Sequence, residues 1–339
     1  MPPKVAVFGA AGFTGALAAR LLSRHPSFEL AVVTARSDTG RRLDDLYPQH
    51  RVPMVLEELD LDRHGELDGA IVAYPHGAAA PLVKELLERG MKVVDLSADF
   101  RLRDPETYRH WYREHPAPEL LDRAVYGLPE RYREQIRTAD LVANPGCYPT
   151  AAVLALAPLA REGLIEDVVI DAKSGVSGAG RAATDKTHFV SVDENVTPYG
   201  VPGHRHTPEI EQELSALGAE LRITFTPHLL PLDQGELVSC YVTGAPRASG
   251  GERALEGIDL DELYAAAYEG EPFVELASSP PGVRDVRETN ICRISAHRDL
   301  RSGRAIVFAA IDNLWKGAAS QAVQNLNLMF GLPEGEGIS

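Results

Sequence analysis

The sequence has little cysteine and a deficit of positive charge. Only three of its 339 residues are cysteine, and no two form a CxxC pair, so neither a disulfide framework nor a structural zinc site is expected. A reducing compartment fits best, and we expect a cytoplasmic protein. The 49 acidic residues outnumber the 34 basic ones, giving a formal net charge of −15, which argues against broad binding to nucleic acids or anionic membranes.

Long hydrophobic runs are also missing. No apolar stretch approaches the roughly 20 residues that a membrane-spanning helix needs, and the N-terminus lacks the hydrophobic segment of a secretion signal. At about 150 residues per domain, a chain of this length predicts two domains. The apolar share of 44% is ordinary for a globular protein with a buried core.

Up to residue 146, short β-branched runs alternate with helical patterns. Strand candidates begin near residues 4, 30, 69, 91 and 140. This alternation predicts βαβ units and a mostly parallel, Rossmann-type sheet. The segment 104–137 is rich in Pro, Arg and aromatic residues with weak periodicity, and it is predicted to be a long surface excursion.

After residue 146 the pattern changes. A strongly apolar helix is predicted at 150–161, and the later strands are separated by longer connections. This pattern predicts an α+β domain with a mixed or antiparallel sheet. The chain as a whole is therefore expected to be an α/β protein with three parts: a dinucleotide-binding domain at 1–146, a substrate and oligomerisation domain at 147–312, and a C-terminal helix at 313–339 that packs back on the first domain.

A glycine-rich turn lies between the first strand and the first helix. Its glycines form a GxxGxxG pattern. In the first βα turn, glycines let a phosphate approach the backbone, and the helix N-terminus adds N–H donors and a partial positive charge. We therefore predict a cofactor site formed by Gly9, Gly12, Phe13, Thr14 and Gly15, with a structural turn as the alternative.

The residues after the second strand indicate which dinucleotide binds. An NAD site has an Asp or Glu there that accepts a hydrogen bond from the ribose 2′-hydroxyl. This chain has Arg36 and Ser37, followed by Arg41 and Arg42, which suit a 2′-phosphate. NADP is therefore the expected cofactor, with Arg36 and Ser37 in contact with it; the alternative is that these arginines are solvated loop charges.

Cys147 is the candidate nucleophile. It ends the turn 144–147, between a predicted strand and an apolar helix. The dipole and N–H groups of that helix would stabilise a thiolate. Cys240 and Cys292 lie within predicted strands and are expected to be buried, unreactive side chains.

Two histidines are candidates for the acid–base group. His204 and His206 precede a predicted helix, with Thr207 as its N-cap and Pro208 at its first position. A histidine with a nearby carboxylate, here Glu209, can move protons in catalysis. Because no further ligand pattern accompanies the pair, no metal site is expected.

Seven motifs occur in the order found in one enzyme family. They occupy residues 9–15, 73–77, 95–102, 144–150, 173–181, 203–210 and 310–317. On these motifs the sequence resembles, over essentially its whole length, the N-acetyl-γ-glutamyl-phosphate reductases of arginine biosynthesis, which are relatives of aspartate-semialdehyde dehydrogenase. The resemblance implies a Rossmann-type parallel sheet plus an α+β dehydrogenase substrate domain.

The resemblance also implies a reaction, in which NADPH reduces an acyl phosphate to an aldehyde. Cys147 would displace phosphate and form a thioester, hydride from NADPH would give a thiohemiacetal, and its collapse would release N-acetylglutamate 5-semialdehyde. His204 or His206 would handle the proton on the thiohemiacetal oxygen. His206 is favoured because it lies next to the predicted helix cap.

Further roles are implied for residues within the shared motifs. The residues expected to contact the cofactor are Ser177, Gly178 and Asn313, although Asn313 could instead be a turn residue. The residues expected to contact the substrate are Arg101, Asn144 and Glu209, although Arg101 could instead be an ion-paired surface residue. The family resemblance also implies a homotetramer or a homodimer.

Three alternatives remain open at this point. The substrate could be an aminoadipyl or aspartyl phosphate, although the motifs at 144–150 and 173–181 favour the arginine branch. The protein could be an NADP-binding redox sensor without turnover, against which the pairing of Cys147 with two histidines argues. It could also be a Cys–His hydrolase, which would leave the strand–glycine–helix start unexplained.

Overall fold

In a computed structural model of the chain, the described residues are 1–64, 66–218, 220–246 and 254–338. They fall into two units, one formed by Met1–Gly146 with Ala318–Ser339 and the other by Cys147–Gly317. Each unit is built on its own β-sheet. Among these residues, no helix combines the length and apolar character that crossing a membrane requires.

The first unit contains a six-stranded sheet in which all neighbouring strands are parallel, in the order β2-β1-β3-β4-β6-β5. Its strands are β1 (Lys4–Phe8), β2 (Glu29–Thr34), β3 (Gly69–Val72), β4 (Lys92–Asp95), β5 (Val125–Tyr126) and β6 (Leu141–Ala143). The strand order reverses at β1, which lies between β2 and β3. In open α/β sheets, ligands bind at the carboxyl ends of strands at such a reversal.

Five helices accompany these strands along the chain: α1 (Phe13–Ser23), α2 (Leu43–Leu46), α3 (Ala80–Glu88), α4 (Pro105–Trp111) and α5 (Pro129–Thr138). The predicted surface excursion at 104–137 is thus wrong in part, because it contains α4, α5 and the edge strand β5. Helix α5 buries only Pro129 and Ile136, and β5 has two residues. Neither element therefore carries the apolar periodicity by which it could be predicted.

The second unit contains a seven-stranded mixed sheet in the order β11-β12-β13-β10-β7-β9-β8. Its strands are β7 (Ile165–Gly175), β8 (Thr197–Pro198), β9 (Ile223–Leu230), β10 (Glu236–Gly244), β11 (Val274–Leu276), β12 (Cys292–Asp299) and β13 (Arg304–Ile311). Its helices are α6 (Cys147–Arg161), α7 (Phe189–Val192), α8 (Thr207–Ser215) and α9 (Leu260–Ala267). The expected parallel sheet and mixed sheet are both confirmed.

Helix α6 packs on β10 and β13 and is flanked by α8 and α9. Every residue from Tyr148 to Ala160 is buried, including Pro158, which cannot donate a backbone hydrogen bond to Leu154. The hydroxyl of Tyr268, just after α9, donates to the Leu154 carbonyl instead. The hydroxyl of Tyr264 donates to the carbonyl of the following residue in α6. These bonds give partners to two carbonyls in the middle of the proline-containing helix and hold it against α9.

The other face of the seven-stranded sheet is less covered. Along β10, fully buried Val238, Cys240 and Val242 alternate with partly exposed Leu237 and Tyr241. On β13, the partly exposed residues on the same face are Ile306, opposite Tyr241, and Phe308. The helix-covered face is thus fully buried, whereas an apolar strip on the opposite face remains accessible to solvent.

The chain ends with a π-helical turn at Trp315–Ala319 and helix α10 (Ser320–Met329). Helix α10 belongs to the first unit, where it packs against α1, α5 and β4. The Lys92 ammonium donates to the Met329 carbonyl at 2.7 Å, and the Asn325 amide donates to the Gly127 carbonyl at 2.9 Å. The C-terminal helix is therefore held by polar contacts as well as by burial.

Candidate active site

The glycine turn of the first unit is packed too tightly for larger residues at two of its three glycines. Gly9 has a φ of +94°, and a Cβ there would lie 2.6 Å from the Ala73 carbonyl oxygen. A Cβ on Gly15 would lie 2.3 Å from the Gly9 carbonyl oxygen. Gly12 differs, because the nearest atom to its Cβ would be 3.7 Å away. The fold itself therefore does not require glycine at 12, whereas close approach of a ligand would.

Helix α1 begins at Phe13, and Gly12 occupies its N-cap position without a capping side chain. The first N–H groups of the helix, including those of Phe13 and Thr14, are therefore not capped by that position. The Tyr47 hydroxyl donates to the Ala11 carbonyl at 2.8 Å and holds the turn in place. Such a helix N-terminus, at a strand reversal and next to a glycine turn, fits a pyrophosphate group.

A cavity of about 520 Å³ lies beside the carboxyl end of β2. Its lining includes Arg36 and Thr39 after β2, and Tyr74 after β3. Arg36 and Ser37 are exposed. The cavity therefore offers a cation and an aromatic ring next to the turn that fits a pyrophosphate, as an adenosine with a 2′-phosphate would need.

The three arginines predicted near this cavity differ in their ion pairs. Arg41 pairs with Asp38 at 3.0 Å, and Arg42 pairs with Asp44 at 2.7 Å. Among the ion pairs formed by described residues, none involves Arg36. Its guanidinium is therefore the one of the three that remains available for a phosphate.

Cys147 is the first residue of α6. The predicted start of this helix at residue 150 is wrong by one turn, because Pro149 is tolerated where backbone N–H groups have no partner within the helix. The side chain is partly exposed, whereas Cys240 and Cys292 are fully buried, as expected. A Cβ on Gly317 would lie 2.8 Å from the Cys147 Cβ, so glycine there leaves room for the cysteine.

Aromatic side chains surround the start of α6. The Tyr199 hydroxyl donates to the Tyr148 hydroxyl at 3.2 Å, and burial raises the pKa of both hydroxyls. The imidazoles of His204 and His206 each pack edge-on against the Tyr148 ring, at 5.9 Å between ring centres. Both histidines of the second unit therefore pack on Tyr148, the residue that follows the candidate nucleophile, and these side chains form one cluster at the start of α6.

The two histidines have different environments. Burial lowers the pKa of His204 to about 4, and its Nδ1 accepts a hydrogen bond from the His206 backbone N–H at 3.1 Å. His204 is therefore neutral at pH 7 with its proton on Nε2. His206 occupies the N-cap position of α8, so Thr207 is the first helical residue and not the cap that the sequence predicted.

Glu236 is a member of this cluster that sequence reasoning missed. It is the first residue of β10, it is fully buried, and its carboxyl is close enough to the Cys147 thiol for the thiol to lower its pKa. Burial, together with the negative charge of Asp312, raises its pKa to about 8. A single acidic residue before an apolar strand carries no signal of this burial, because the same pattern is typical of an exposed strand end.

The predicted cofactor contacts of the second unit form a hydrogen-bonded group. The Asn313 amide donates to the Ser177 hydroxyl at 3.0 Å, and its Oδ1 accepts from the Gly235 N–H at 2.7 Å. Gly178 is exposed, and a Cβ there would lie 3.1 Å from the Ser174 hydroxyl. Asn313 thus joins the start of β10 to the turn after β7.

The predicted substrate residues are all buried. Arg101 is 5% exposed, and its guanidinium donates to the carbonyls of Asn144 and Leu96, both at 2.8 Å. The alternative of a surface ion pair for Arg101 is therefore wrong. Asn144 accepts a hydrogen bond from Asn325 at 3.0 Å. Glu209 lies in the first turn of α8 and is 1% exposed.

The described residues contain no group of three or more His, Cys, Asp or Glu side chains that could hold a metal ion. The cluster at the start of α6 combines a thiol with two histidines and a carboxyl group. Such an arrangement can perform nucleophilic catalysis and transfer protons.

Comparisons with known proteins give consistent matches. Residues 4–139 match the family model of the semialdehyde dehydrogenase NAD-binding domain, and residues 147–313 match the semialdehyde dehydrogenase dimerisation domain. N-acetyl-γ-glutamyl-phosphate reductase of Desulforudis audaxviator is 51% identical over 99% of this chain and 97% of its own length. The reductase of the same name from Moorella thermoacetica is 50% identical over 98% of this chain and 96% of its own.

Solved structures with the same fold have much lower sequence identity. Aspartate semialdehyde dehydrogenase II of Vibrio cholerae superposes with a TM-score of 0.72 at 19% identity, covering 98% of this chain and 99% of that one. Aspartate semialdehyde dehydrogenase of Candida albicans, solved with NADP, gives 0.69 at 15% identity, covering 97% and 99%. These structures establish the fold.

The arginine environments lead to a test of the cofactor. Arg36→Gln is expected to weaken NADPH binding by ~10- to 100-fold, because a charged hydrogen bond to a phosphate contributes ~1.5–3 kcal/mol. NADH binding should change little, since NADH lacks the 2′-phosphate. Titration of nicotinamide fluorescence measures both affinities. Arg41→Gln is the matched control, because Arg41 is already paired with Asp38; equal losses in the two variants would contradict the assignment.

Proposed function

The chain belongs to the N-acetyl-γ-glutamyl-phosphate reductase family of semialdehyde dehydrogenases, and we propose that it reduces N-acetyl-γ-glutamyl phosphate to N-acetylglutamate 5-semialdehyde and phosphate with NADPH. This reaction belongs to arginine biosynthesis. The observation that carries the proposal is the partly exposed Cys147 at the N-terminus of α6, with two histidines packed on the adjacent Tyr148. About 50% identity to reductases of that name over nearly the whole chain supports the substrate.

The first step is attack by Cys147 on the acyl carbon. The backbone N–H groups and partial positive charge at the start of α6 favour the thiolate form of this residue. The new carbon–sulfur bond forms as the carbon–oxygen bond to phosphate breaks, so phosphate leaves and a thioester remains. A thiolate suits both halves of the reaction, because it attacks readily and is also a good leaving group when the aldehyde is released.

The first unit has the groups needed to hold NADPH, which when bound supplies the hydride that converts the thioester to a thiohemiacetal. The turn from Gly9 to Gly15 and the start of α1 would hold the pyrophosphate. Arg36 and Ser37 would meet the 2′-phosphate. In the second unit, we propose Ser177, Gly178 and Asn313 as further cofactor contacts, with the Asn313 hydrogen bonds fixing their positions.

His206 is the proposed acid–base group for the thiohemiacetal oxygen. His204 is poorly suited to that role, because burial keeps it neutral at pH 7 and its Nδ1 already accepts a backbone hydrogen bond. His204 would instead orient His206 through that bond. Glu209 is buried in the first turn of α8. We propose that it contacts the substrate.

Arg101 and Asn144 are proposed to support the substrate site rather than to bind phosphate directly. The guanidinium of Arg101 bonds to two carbonyls, and Asn144 bonds to Asn325 of α10. These bonds tie the 95–102 motif to the end of β6 and to the C-terminal helix. The segment that leads into Cys147 is thereby held in one conformation.

We also propose a homo-oligomer, with the less covered face of the second sheet as the interface. The region matches a dimerisation domain, and the accessible strip formed by Leu237, Tyr241, Ile306 and Phe308 is apolar and aromatic. Aromatic residues in the centre of a patch are typical of interfaces between identical subunits. A dimer of this kind, or a tetramer built from two dimers, would complete the burial of the sheet.

We place this activity in the cytoplasm, where a reactive thiol stays reduced.

The reaction is tested in its reverse direction. We expect the protein to oxidise N-acetylglutamate 5-semialdehyde with NADP and phosphate, followed by NADPH absorbance, and to leave aspartate and aminoadipate semialdehydes largely unreacted. Cys147→Ser should lower the rate by ~1,000-fold or more, since a hydroxyl is a much weaker nucleophile. Cys240→Ala, which changes a buried thiol in β10, is the control. Turnover of aspartate semialdehyde alone would reject the substrate, and NADPH binding without any turnover would favour the redox sensor.

The histidine roles are tested by matched substitutions. His206→Gln should lower kcat by ~100-fold or more, the usual contribution of general acid–base catalysis. His204→Gln should cause a smaller loss in kcat, because glutamine can still accept the His206 backbone hydrogen bond. Steady-state kinetics and thermal unfolding of both variants make the comparison. A larger kcat loss in folded His204→Gln would assign the acid–base role to His204.

The interface is tested by the mass of the protein in solution. The wild type should sediment as a dimer or tetramer, and Phe308→Glu should sediment as a monomer because it places a charge in an apolar contact. Leu300→Glu is the control, since Leu300 is 86% exposed in the turn after β12. An oligomer unaffected by Phe308→Glu would show that subunits associate through another surface.

A further inference from the structure

The carboxyl of Glu236 is fully buried, and it forms no ion pair with any residue that the structure describes. Its backbone lies in the middle of the sheet, where it pairs with Ile311 of β13 and Ser174 of β7. The residue is fully buried, and among described residues neither carboxyl oxygen has a partner in regular hydrogen-bond geometry. Burying such a group is costly. A purely structural position would be filled better by an apolar side chain.

The group that does face this carboxyl is the reacting thiol. Cys147 at the start of α6 is close enough to this carboxyl to interact with it. Among described residues, the hydroxyls of Tyr148 and Tyr199 and the carboxylate of Asp312 also interact with it. Neither tyrosine carries a charge near neutral pH, because burial raises the pKa of both. None of these interacting groups in the described part of the chain is a cation that would hold Glu236 permanently ionised.

We propose that Glu236 is the base for the Cys147 thiol, taking its proton when the thioester forms and returning it when the aldehyde leaves. During acylation the S–H bond breaks, the proton moves to a Glu236 oxygen, and the sulfur electron pair forms the bond to the acyl carbon. When the thiohemiacetal collapses, the electron pair returns to sulfur, which takes the proton back from Glu236. The cycle closes without an added acid or base.

This role is separate from that of His206. The histidine acts on the oxygen of the thiohemiacetal, whereas Glu236 acts on the sulfur. The proposal rests on the proposed function, because it concerns the proton that the Cys147 thiol loses when the thioester forms. The raised pKa of Glu236, about 8, means that the carboxyl changes its protonation close to neutral pH. A base with its pKa near the working pH is the most effective kind.

The first test is chemical and needs no substrate. Iodoacetamide alkylation of Cys147, followed on its peptide by mass spectrometry, should rise with pH in two steps in the wild type, the first near pH 8, because two coupled groups share a proton. Glu236→Gln keeps the size of the side chain but cannot take a proton, so its profile should have one step. Glu213→Gln is the matched control, because Glu213 is also fully buried but lies on α8; its profile should match the wild type.

The second test is turnover of N-acetylglutamate 5-semialdehyde. Glu236→Gln should lower kcat by ~100-fold, and Glu236→Asp, which retains an acid, should recover part of the rate and the two-step alkylation profile. Wild-type behaviour of Glu236→Gln in both tests would overturn the proposal. If that variant does not fold, a single-step profile in the wild type and in Glu236→Asp would overturn it equally.

The two tests also separate this inference from the proposed function. A wild-type protein that does not oxidise the semialdehyde refutes the assigned substrate. The alkylation profiles then still decide whether Glu236 is the base of the Cys147 thiol. Turnover in the wild type together with unchanged alkylation and kcat in Glu236→Gln refutes only the role of Glu236.

Discussion

The position of Cys147 at the first residue of α6 is the constraint on which the site depends. A thiol at the N-terminus of a buried helix is close to N–H donors and partly exposed, while the rest of the helix is fixed in the core. That position is maintained from a distance. The Tyr268 hydroxyl donates a hydrogen bond to the Leu154 carbonyl, which has no backbone donor at Pro158. Gly317 leaves the space that the cysteine occupies. The chemistry at one end of α6 thus depends on packing along its whole length.

The sequence predicted most of the fold because the decisive patterns are local. The βαβ alternation and the later strands carry strong apolar signals, and both sheets follow from them. The elements that were missed have weak signals for physical reasons. Helix α5 buries two residues, β5 has only two, and the first turn of α6 contains a proline. Short or exposed elements are stabilised by tertiary contacts, which local periodicity does not record.

The site was predictable to the extent that its residues lie in motifs. The glycine turn, Arg36, Cys147 and the two histidines could be proposed from spacing and residue type. Glu236 could not, because its nearness to Cys147 comes from the pairing of β10 with β7 and β13 and from the packing of α6 on that sheet. The ion pairs of Arg41 and Arg42 were equally invisible in the sequence. Arg41 and Arg42 are paired with carboxylates, and this distinguishes them from Arg36, for which the described residues provide no ion pair.

Local charge explains how a protein with a net charge of −15 can bind two anionic ligands. Two of the three arginines that follow β2, Arg41 and Arg42, are neutralised by neighbouring carboxylates, which leaves Arg36 and the helix N-terminus of α1 as the attractive groups. In the second unit, the groups around Cys147 are neutral histidine, neutral tyrosines and a carboxyl with a raised pKa. A site with few fixed charges avoids strong attraction for the phosphate product. It also lets a single proton move between sulfur and oxygen at little electrostatic cost, since the total charge of the pair stays the same.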